Sequence, residues 1–211
     1  MKNTHILLAA LLALSMMSVQ AQTNSRVSQK SVYFSAGPSF TGSGDLSGLN
    51  LITGFSYNFK SWNTVAEVAT TLYHGEYPLY YYLNRGGSTQ LIDGSIRYNT
   101  YGVQLNIVES YRVIKKSNHD LNFGIGPVLR YQSSSDDGLN IDYPAVTGLD
   151  YPVITYNHRE SQNIISIGAI AKIVYNYHIS NKLYIGAAAS FQVDTNGDTI
   201  SNTGFSVGCN L

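Results

Sequence analysis

The sequence predicts an all-β protein, an eight-stranded antiparallel up-and-down transmembrane β-barrel. Apolar and polar residues alternate with a period of two through most of the chain. Only 12% of the residues are charged, whereas soluble domains carry about 25%. Short and long connections alternate along the chain, as they do in barrels that have tight turns at one rim and loops at the other.

The N-terminus has the layout of a signal peptide. One lysine lies within the first five residues, an almost continuous apolar run covers 6–19, and Ala21 precedes Gln22. The run is about 14 residues long, and a spanning helix needs roughly 20. We therefore expect a signal peptide over residues 1–21, a short lead over 22–30 and a barrel domain over 31–211.

The first three strands are predicted at about 32–40, 50–60 and 62–72. Apolar side chains occupy every second position, and small or polar side chains lie between them. The third strand has the weakest pattern, with Glu67 on its polar face. The apolar positions are Val32, Phe34, Ala36, Phe40, Leu51, Phe55, Tyr57, Phe59, Trp62, Ala66, Val68 and Leu72.

Five further strands are predicted at about 102–107, 121–132, 165–178, 183–194 and 202–211. Turn residues at 180–182 and 196–198 separate the last three, and Asn-Gly-Asp at 196–198 is a hairpin signal. The apolar positions are Val103, Leu105, Ile107, Leu121, Phe123, Ile125, Pro127, Leu129, Tyr131, Ile165, Ile167, Ala169, Ala171, Ile173, Tyr175, Tyr177, Leu183, Ile185, Ala187, Ala189, Phe191, Val193, Thr203, Phe205, Val207, Cys209 and Leu211.

Three residues do not fit this pattern. Pro38 and Pro127 fall inside strands, where a proline usually marks a bulge or a strand edge. Glu109 falls on the apolar face beyond the fourth strand. Either a bulge shifts the register beyond Ile107, or Glu109 lies at the membrane interface near Tyr111.

The charge distribution decides which face points outward. A soluble, lipocalin-like barrel with an apolar interior would need a more charged exterior than the Gly, Ser, Asn and Ala of the polar face. Aromatic residues on the apolar face gather near both rims, as membrane girdles do. We expect a girdle near the short turns at Tyr57, Phe59, Trp62, Tyr111, Tyr175 and Tyr177, and another at Phe40, Tyr101, Tyr131 and Phe191.

This pattern resembles the family of small outer-membrane β-barrel proteins with OmpA- or OmpX-like architecture. The resemblance covers about residues 31–211 and rests on the strand pattern. It implies export to the bacterial outer membrane, contact with outer-membrane lipid, and insertion by the barrel-assembly machinery. Family members usually end in an aromatic residue, whereas this sequence has Leu211 behind Cys209, Val207 and Phe205.

Charged residues on the inward face are the candidates for a site in the lumen. Glu67 and Lys172 should lie at similar depth, with Arg130 higher up. An eight-stranded barrel is just wide enough for side chains to fill. We expect these residues to form a polar plug, and the alternative is a selectivity gate in a narrow porin-like channel for small solutes.

The two longest connections are rich in tyrosine. An acidic-Tyr-Pro triplet occurs three times, at 76–78, 142–144 and 150–152. Tyrosine offers a large contact area at low entropy cost, which favours recognition of an extracellular protein or glycan. The alternative is that these residues only stiffen and pack the loops. The candidates are Tyr77, Tyr80, Tyr81, Tyr82, Tyr143 and Tyr151.

The sequence favours a non-enzymatic role. Some barrels of this size resemble lipid A acyltransferases or deacylases, but His74, His158, Glu160 and Ser161 form no recognisable triad. We expect no catalytic residue, no cofactor and no metal ion, because no phosphate-binding loop and no Cys/His ligand spacing is present. A formal net charge of zero argues against a nucleic-acid partner. Cys209 is the one cysteine and cannot form an internal disulfide.

Overall fold

The computed structural model describes residues 29–42, 46–85, 87–116, 118–136, 138–157 and 161–211. The predicted signal peptide and most of the predicted lead lie outside these ranges. The elements in chain order are β1 Lys30–Thr41, β2 Ser47–Phe59, β3 Trp62–Tyr77, β4 Tyr80–Arg85, β5 Ser88–Asp93, β6 Ile96–Lys116, β7 His119–Ser134, β8 Leu139–Asp142, α1 Pro144–Thr147, β9 Val153–Tyr156, β10 Gln162–His178, β11 Leu183–Asp194 and β12 Thr199–Asn210.

Eight of the strands form one closed barrel. Their order around it is β1-β12-β11-β10-β7-β6-β3-β2, and every neighbouring pair is antiparallel. Closure occurs between β1 and β12, where Ser31 lies opposite Asn210 and Thr41 opposite Ile200. Closure pairs the backbone of every barrel strand on both sides, which a hydrocarbon environment requires. The predicted eight-stranded antiparallel barrel is confirmed.

Side chains alternate between the two faces of the sheet as the pattern predicts. Large apolar residues point outward and are exposed in the isolated barrel, among them Phe205 at 81%. Inward positions are mostly polar and buried, such as Ser39, Gln104 and Gln192. An exterior of this kind cannot face water around its whole circumference, but it matches the acyl chains of a bilayer. In the part of the chain that the structure describes, no helix is long and apolar enough to cross a membrane.

The two longest connections contain secondary structure of their own. Strands β3 and β6 continue their pairing up to Tyr77 opposite Ile96, so β3 extends beyond the predicted end of the third strand at about residue 72. The rest of that connection is the hairpin β4–β5, and the other long connection contains the hairpin β8–β9 with α1 between its strands. Sequence alternation did not indicate these strands, because above the membrane both faces of a strand meet polar surroundings.

Neither proline marks a bulge or an edge. Pro38 and Pro127 lie within continuous strands whose register is the same before and after them, as Ala36 opposite Phe205 and Ser39 opposite Asn202 demonstrate for the first. Each proline follows a glycine at a close approach between strands. A Cβ on Gly126 would lie 1.9 Å from the Ile107 carbonyl oxygen.

Glu109 keeps the outward position that the pattern gave it. It pairs with Thr64 and Ile125 in an unshifted register, so the expected alternative of a bulge just beyond Ile107 is wrong. The irregularity in this strand pair comes later, between Arg112 and Ile114. The Thr64 hydroxyl donates a hydrogen bond to Glu109 Oε1 at 2.8 Å, which partly satisfies the carboxylate on the apolar face.

Candidate functional site

The middle of the lumen is occupied by an ion pair. Glu67 on β3 and Lys172 on β10 are 3% and 5% exposed, and the Lys172 ammonium contacts Glu67 Oε1. The Tyr33 hydroxyl donates to the same oxygen, and Asn106 Nδ2 donates to Glu67 Oε2 at 3.0 Å. Side chains from three other strands, β1, β6 and β10, therefore converge on the carboxylate of β3. A buried charge pair with its remaining lone pairs satisfied costs far less than an unpaired buried charge.

An apolar cluster lies in the lumen beside this pair. Val65, Val108, Val128 and Ile170 are all buried and pack together, with Tyr33 against them. The sequence pattern predicted an inward face made of small and polar residues, so this cluster is a difference from the prediction. Its signal was available, because Val65 lies two residues before Glu67 and therefore shares its face.

Arg130 belongs to a separate network. Its guanidinium Nη1 lies 3.3 Å from Asp194 Oδ2 and 3.3 Å from Asp198 Oδ2, and its side chain is 1% exposed. Ser166 donates a further hydrogen bond to Asp194 Oδ2 at 3.1 Å. The two aspartates flank the β11–β12 turn, so Arg130 closes the loop end of the lumen and does not join Glu67. Asp198 belongs to the predicted hairpin signal, and Asp194 ends β11.

A third polar network lies at the short-turn end of the lumen. Asp120 Oδ1 accepts hydrogen bonds from Asn122 at 2.6 Å and Asn176 at 3.0 Å, while His178 Nε2 lies 2.7 Å from Asp120 Oδ2. Arg112 Nη2 donates to Asn58 Oδ1 at 2.7 Å. Sequence reasoning missed this network, because a lone aspartate next to a predicted turn is normally solvated.

Two small cavities in the lumen are both lined by Lys172. One of about 50 Å³ lies toward the short turns, and Glu67, Arg112 and Asp120 also line it. The other, of about 10 Å³, lies on the loop side. One water molecule needs roughly 10–15 Å³ of cavity volume, so the first cavity holds a few waters and the second at most one.

The β4–β5 hairpin presents one exposed aromatic face. Tyr80 and Tyr82 are 60% and 69% exposed, and the register places Leu91 directly opposite Tyr82 on the same face. Tyr81 points to the other face of the hairpin and is half-buried. The structure therefore separates three consecutive tyrosines that the sequence grouped together, because successive strand residues point to opposite sides.

Tyr77 links the bases of the two long loops. Its hydroxyl donates to Asp136 Oδ2 at 2.8 Å, and its ring centroid lies 5.2 Å from that of Tyr98. Burial, and then the Asp136 carboxylate, raise the pKa of the Tyr77 hydroxyl. Tyr143 and Tyr151 are exposed on either side of α1, and the Tyr143 carbonyl accepts the amide of Val146 at 2.9 Å.

The predicted girdle residues near the short turns all lie on the outward face. Trp62 and Tyr111 meet edge to face with ring centroids 5.4 Å apart. The Tyr175 hydroxyl lies 2.6 Å from His119 Nδ1, and the Tyr177 ring lies 5.0 Å from the same histidine ring. Tyr57 and Phe59 occupy the neighbouring positions at the end of β2.

Of the four residues considered for a catalytic cluster, His74 and Ser161 lie in the described ranges. His74 Nδ1 lies 2.5 Å from the Asn99 side-chain oxygen. His158 and Glu160 lie outside the described ranges. Among the residues that the structure describes, no group of His, Cys, Asp and Glu could hold a metal ion.

Comparison with protein-family models and with curated proteins gives no match. Solved structures do match. Neisserial surface protein A has a TM-score of 0.50 at 12% identity, over 87% of this chain and 98% of that one. The attachment invasion locus protein Ail of Yersinia pestis has a TM-score of 0.47 at 10% identity, over 87% and 98%. The N-terminal barrel domain of Pseudomonas aeruginosa OprF has 0.41 at 14%, over 87% and 99%.

The likeness to Neisserial surface protein A supports the eight-stranded barrel fold. The closed order of strands shows the same fold independently. Both the outward apolar face and the girdle residues agree with a barrel that lies in a bilayer. The chain therefore has the fold of a small eight-stranded outer-membrane β-barrel protein.

Proposed function

We propose that this protein is a non-enzymatic outer-membrane barrel with a sealed lumen. One face of its β4–β5 hairpin, the face that carries Tyr80 and Tyr82, recognises an extracellular protein or glycan. The exposure of Tyr80 and Tyr82 on one face carries the proposal. Large exposed aromatic residues are costly in contact with water and are enriched at recognition surfaces.

The lumen argues against the alternative of a narrow pore. The Glu67–Lys172 pair, Tyr33 and the apolar cluster around Val108 occupy the same part of the bore. Arg130 and its two aspartates occupy the loop end. A hydrated ion would have to displace both polar networks, and each is a buried arrangement of charges that is expensive to break.

Attachment to a rigid base supports recognition. The hairpin β4–β5 rises directly from β3 and β6, whose pairing extends to Tyr77 opposite Ile96. Gly94 N donates to the Leu79 carbonyl at 2.8 Å, and Leu79 is buried at the foot of the hairpin. A surface held in place loses less entropy on binding than a free loop does.

Binding to arrays of purified extracellular matrix proteins and glycans tests the proposal, with the protein in lipid nanodiscs. The double variant Tyr80→Ser and Tyr82→Ser should lose about tenfold or more of the affinity for any component that the wild type binds. Ser88→Ala with Gln90→Ala changes two exposed positions on the opposite face and should keep it. Equal binding by the wild type and the tyrosine variant, or no binding above that of empty nanodiscs, would overturn the recognition role.

Planar bilayers test the sealed lumen separately. Wild-type protein should give no steady conductance, because the bore is filled at two levels. Steady ohmic channels from the purified protein would favour the pore and leave the array result untouched.

A further inference from the structure

Most of the described acidic residues lie at the loop end of the barrel, which also carries Arg97 and Arg130. At the loop end, the described acidic residues are Glu76, Asp93, Asp136, Asp142, Asp150, Asp194 and Asp198. At the short-turn end, Asp120 is buried in its network, and Glu109 lies farther up the outer face with its hydrogen bond from Thr64. Exposed lysines occupy that end instead.

Three of these lysines form what we call the basic collar, which consists of Lys30, Lys60 and Lys182. All three are exposed. Lys30 begins β1, Lys60 lies in the β2–β3 turn, and Lys182 lies in the β10–β11 turn. Lys115, next to the β6–β7 turn, is not part of the collar, because it pairs with the inward Asp120 and therefore lies on the lumen side of the rim. In the order of strands around the barrel, Lys60 and Lys182 lie on either side of Lys30, so the collar extends over about half of the rim.

The collar lies at the outer edge of the aromatic girdle. Lys60 is two residues from Trp62, and Lys30 pairs with Tyr57 in the register of β1 and β2. Girdle tyrosines and tryptophans mark the boundary between acyl chains and headgroups. From this boundary, the long side chain of a lysine reaches the layer where lipid phosphates lie.

We propose that the basic collar binds the phosphates of anionic phospholipids in the leaflet at the short-turn end of the barrel. Lysines spaced along the rim fit headgroups, which surround the protein on every side. A soluble anion would require several of these lysines to converge on one concave site, and they lie on different sides of the rim. Basic residues near a membrane surface attract anionic lipids, and the attraction falls with salt.

Electron paramagnetic resonance of spin-labelled lipids tests the proposal with the full barrel in phosphatidylcholine vesicles. Spin-labelled phosphatidylglycerol should associate with the wild type roughly threefold more strongly than spin-labelled phosphatidylcholine does. The preference should approach parity at about 1 M NaCl, where the screening length is only a few ångströms. A wild type without a preference, or with one that salt does not change, would refute the collar as an electrostatic lipid site.

Matched variants test whether the collar lysines cause the preference for phosphatidylglycerol. Lys30→Ser, Lys60→Ser and Lys182→Ser together should bring the preference close to parity, whereas arginine at the same three positions should keep it. The control Asn84→Asp, Gln90→Glu and Asn140→Asp lowers the net charge by the same three units at exposed positions of the loop end, and it should retain the wild-type preference. A serine variant that keeps the full preference would overturn the proposal.

A competition experiment distinguishes lipid phosphate from phosphate in solution. Glycerol phosphate should weaken the preference only as much as NaCl of the same ionic strength does. A greater effect would show that the collar binds soluble phosphate, which would also overturn the assignment to the bilayer. Heat-dependent migration on SDS gels verifies that each variant is folded, and the salt titration on the wild type needs no variant.

Discussion

At the scale of single residues, the structure of the lumen depends on buried charges that are paired with each other. Glu67 receives bonds from Lys172, Tyr33 and Asn106, so both of its oxygens are occupied. Removal of one partner leaves the other charge without compensation in a place with little water. The pair therefore specifies which inward residues meet, and its contribution to stability depends on both members.

We expect Glu67→Gln to lower the free energy of unfolding by about 3 kcal/mol, because the nearly isosteric amide leaves the Lys172 ammonium without a counter-charge. Urea unfolding in detergent micelles, followed by Trp62 fluorescence, measures this. Glu109→Gln is the matched control on the outward face and should cost less than about 1 kcal/mol. If both variants unfold at the same urea concentration, the lumen pair has no special role in stability.

At the scale of elements, the two long loops are hairpins that share a support. Tyr77 at the end of β3 and Asp136 just after β7 connect their bases through one hydrogen bond. Asp136 Oδ1 also accepts the amide of Gly138 at 3.0 Å, and the Asp136 carbonyl accepts from Gln162 Nε2 at 3.2 Å. Because one aspartate holds both sides, the hairpins are positioned relative to each other as well as to the barrel.

Tyr77→Phe should loosen both hairpins and leave the barrel intact. The loss of this hydrogen bond costs about 1 kcal/mol locally, so amide exchange at β4–β5 and β8–β9 should accelerate several-fold while β11 and β12 stay protected. Hydrogen-exchange mass spectrometry measures each hairpin. Tyr80→Phe removes an exposed hydroxyl and is the control. Unchanged exchange in both hairpins would contradict the shared support.

The same bond has a predictable pH dependence. The pKa of the Tyr77 hydroxyl is raised in the folded protein, first by burial and then by Asp136. The hydrogen bond from Tyr77 to Asp136 therefore stabilises the bases of the hairpins fully below the pKa of an ordinary tyrosine, about 10. This stabilisation is lost only as the pH rises through the higher pKa that Tyr77 has in the folded protein. Protection of the hairpins in wild-type protein should accordingly persist at about pH 10.

At the scale of the whole molecule, the barrel places one intrinsic probe at a membrane boundary. Trp62 is the one tryptophan of the chain, and it points outward at the start of β3 beside Tyr111. We expect its fluorescence to be quenched more strongly by lipids brominated near the glycerol backbone than by lipids brominated near the chain ends. Trp62→Phe provides the blank. Stronger quenching by the deep label would place the girdle away from the interface.

The sequence by itself determined the eight barrel strands, their outward faces and the rim with the short turns. It could do so because a strand between lipid and a filled bore has a period of two, and most of its outward positions are apolar. The same alternation placed Glu67, Lys172 and Arg130 inside. It also kept Glu109 outside, where the structure has it.

Only the tertiary structure decided which inward residues meet. Arg130 pairs with Asp194 and Asp198 instead of extending the Glu67 cluster, and Tyr33 reaches over Gly54 of the intervening strand β2 to Glu67. Such contacts depend on the stagger of strands around the closed barrel, and periodicity within one strand carries no information about the stagger. The hairpins above the membrane likewise needed the structure, since water on both faces removes the selection that creates alternation.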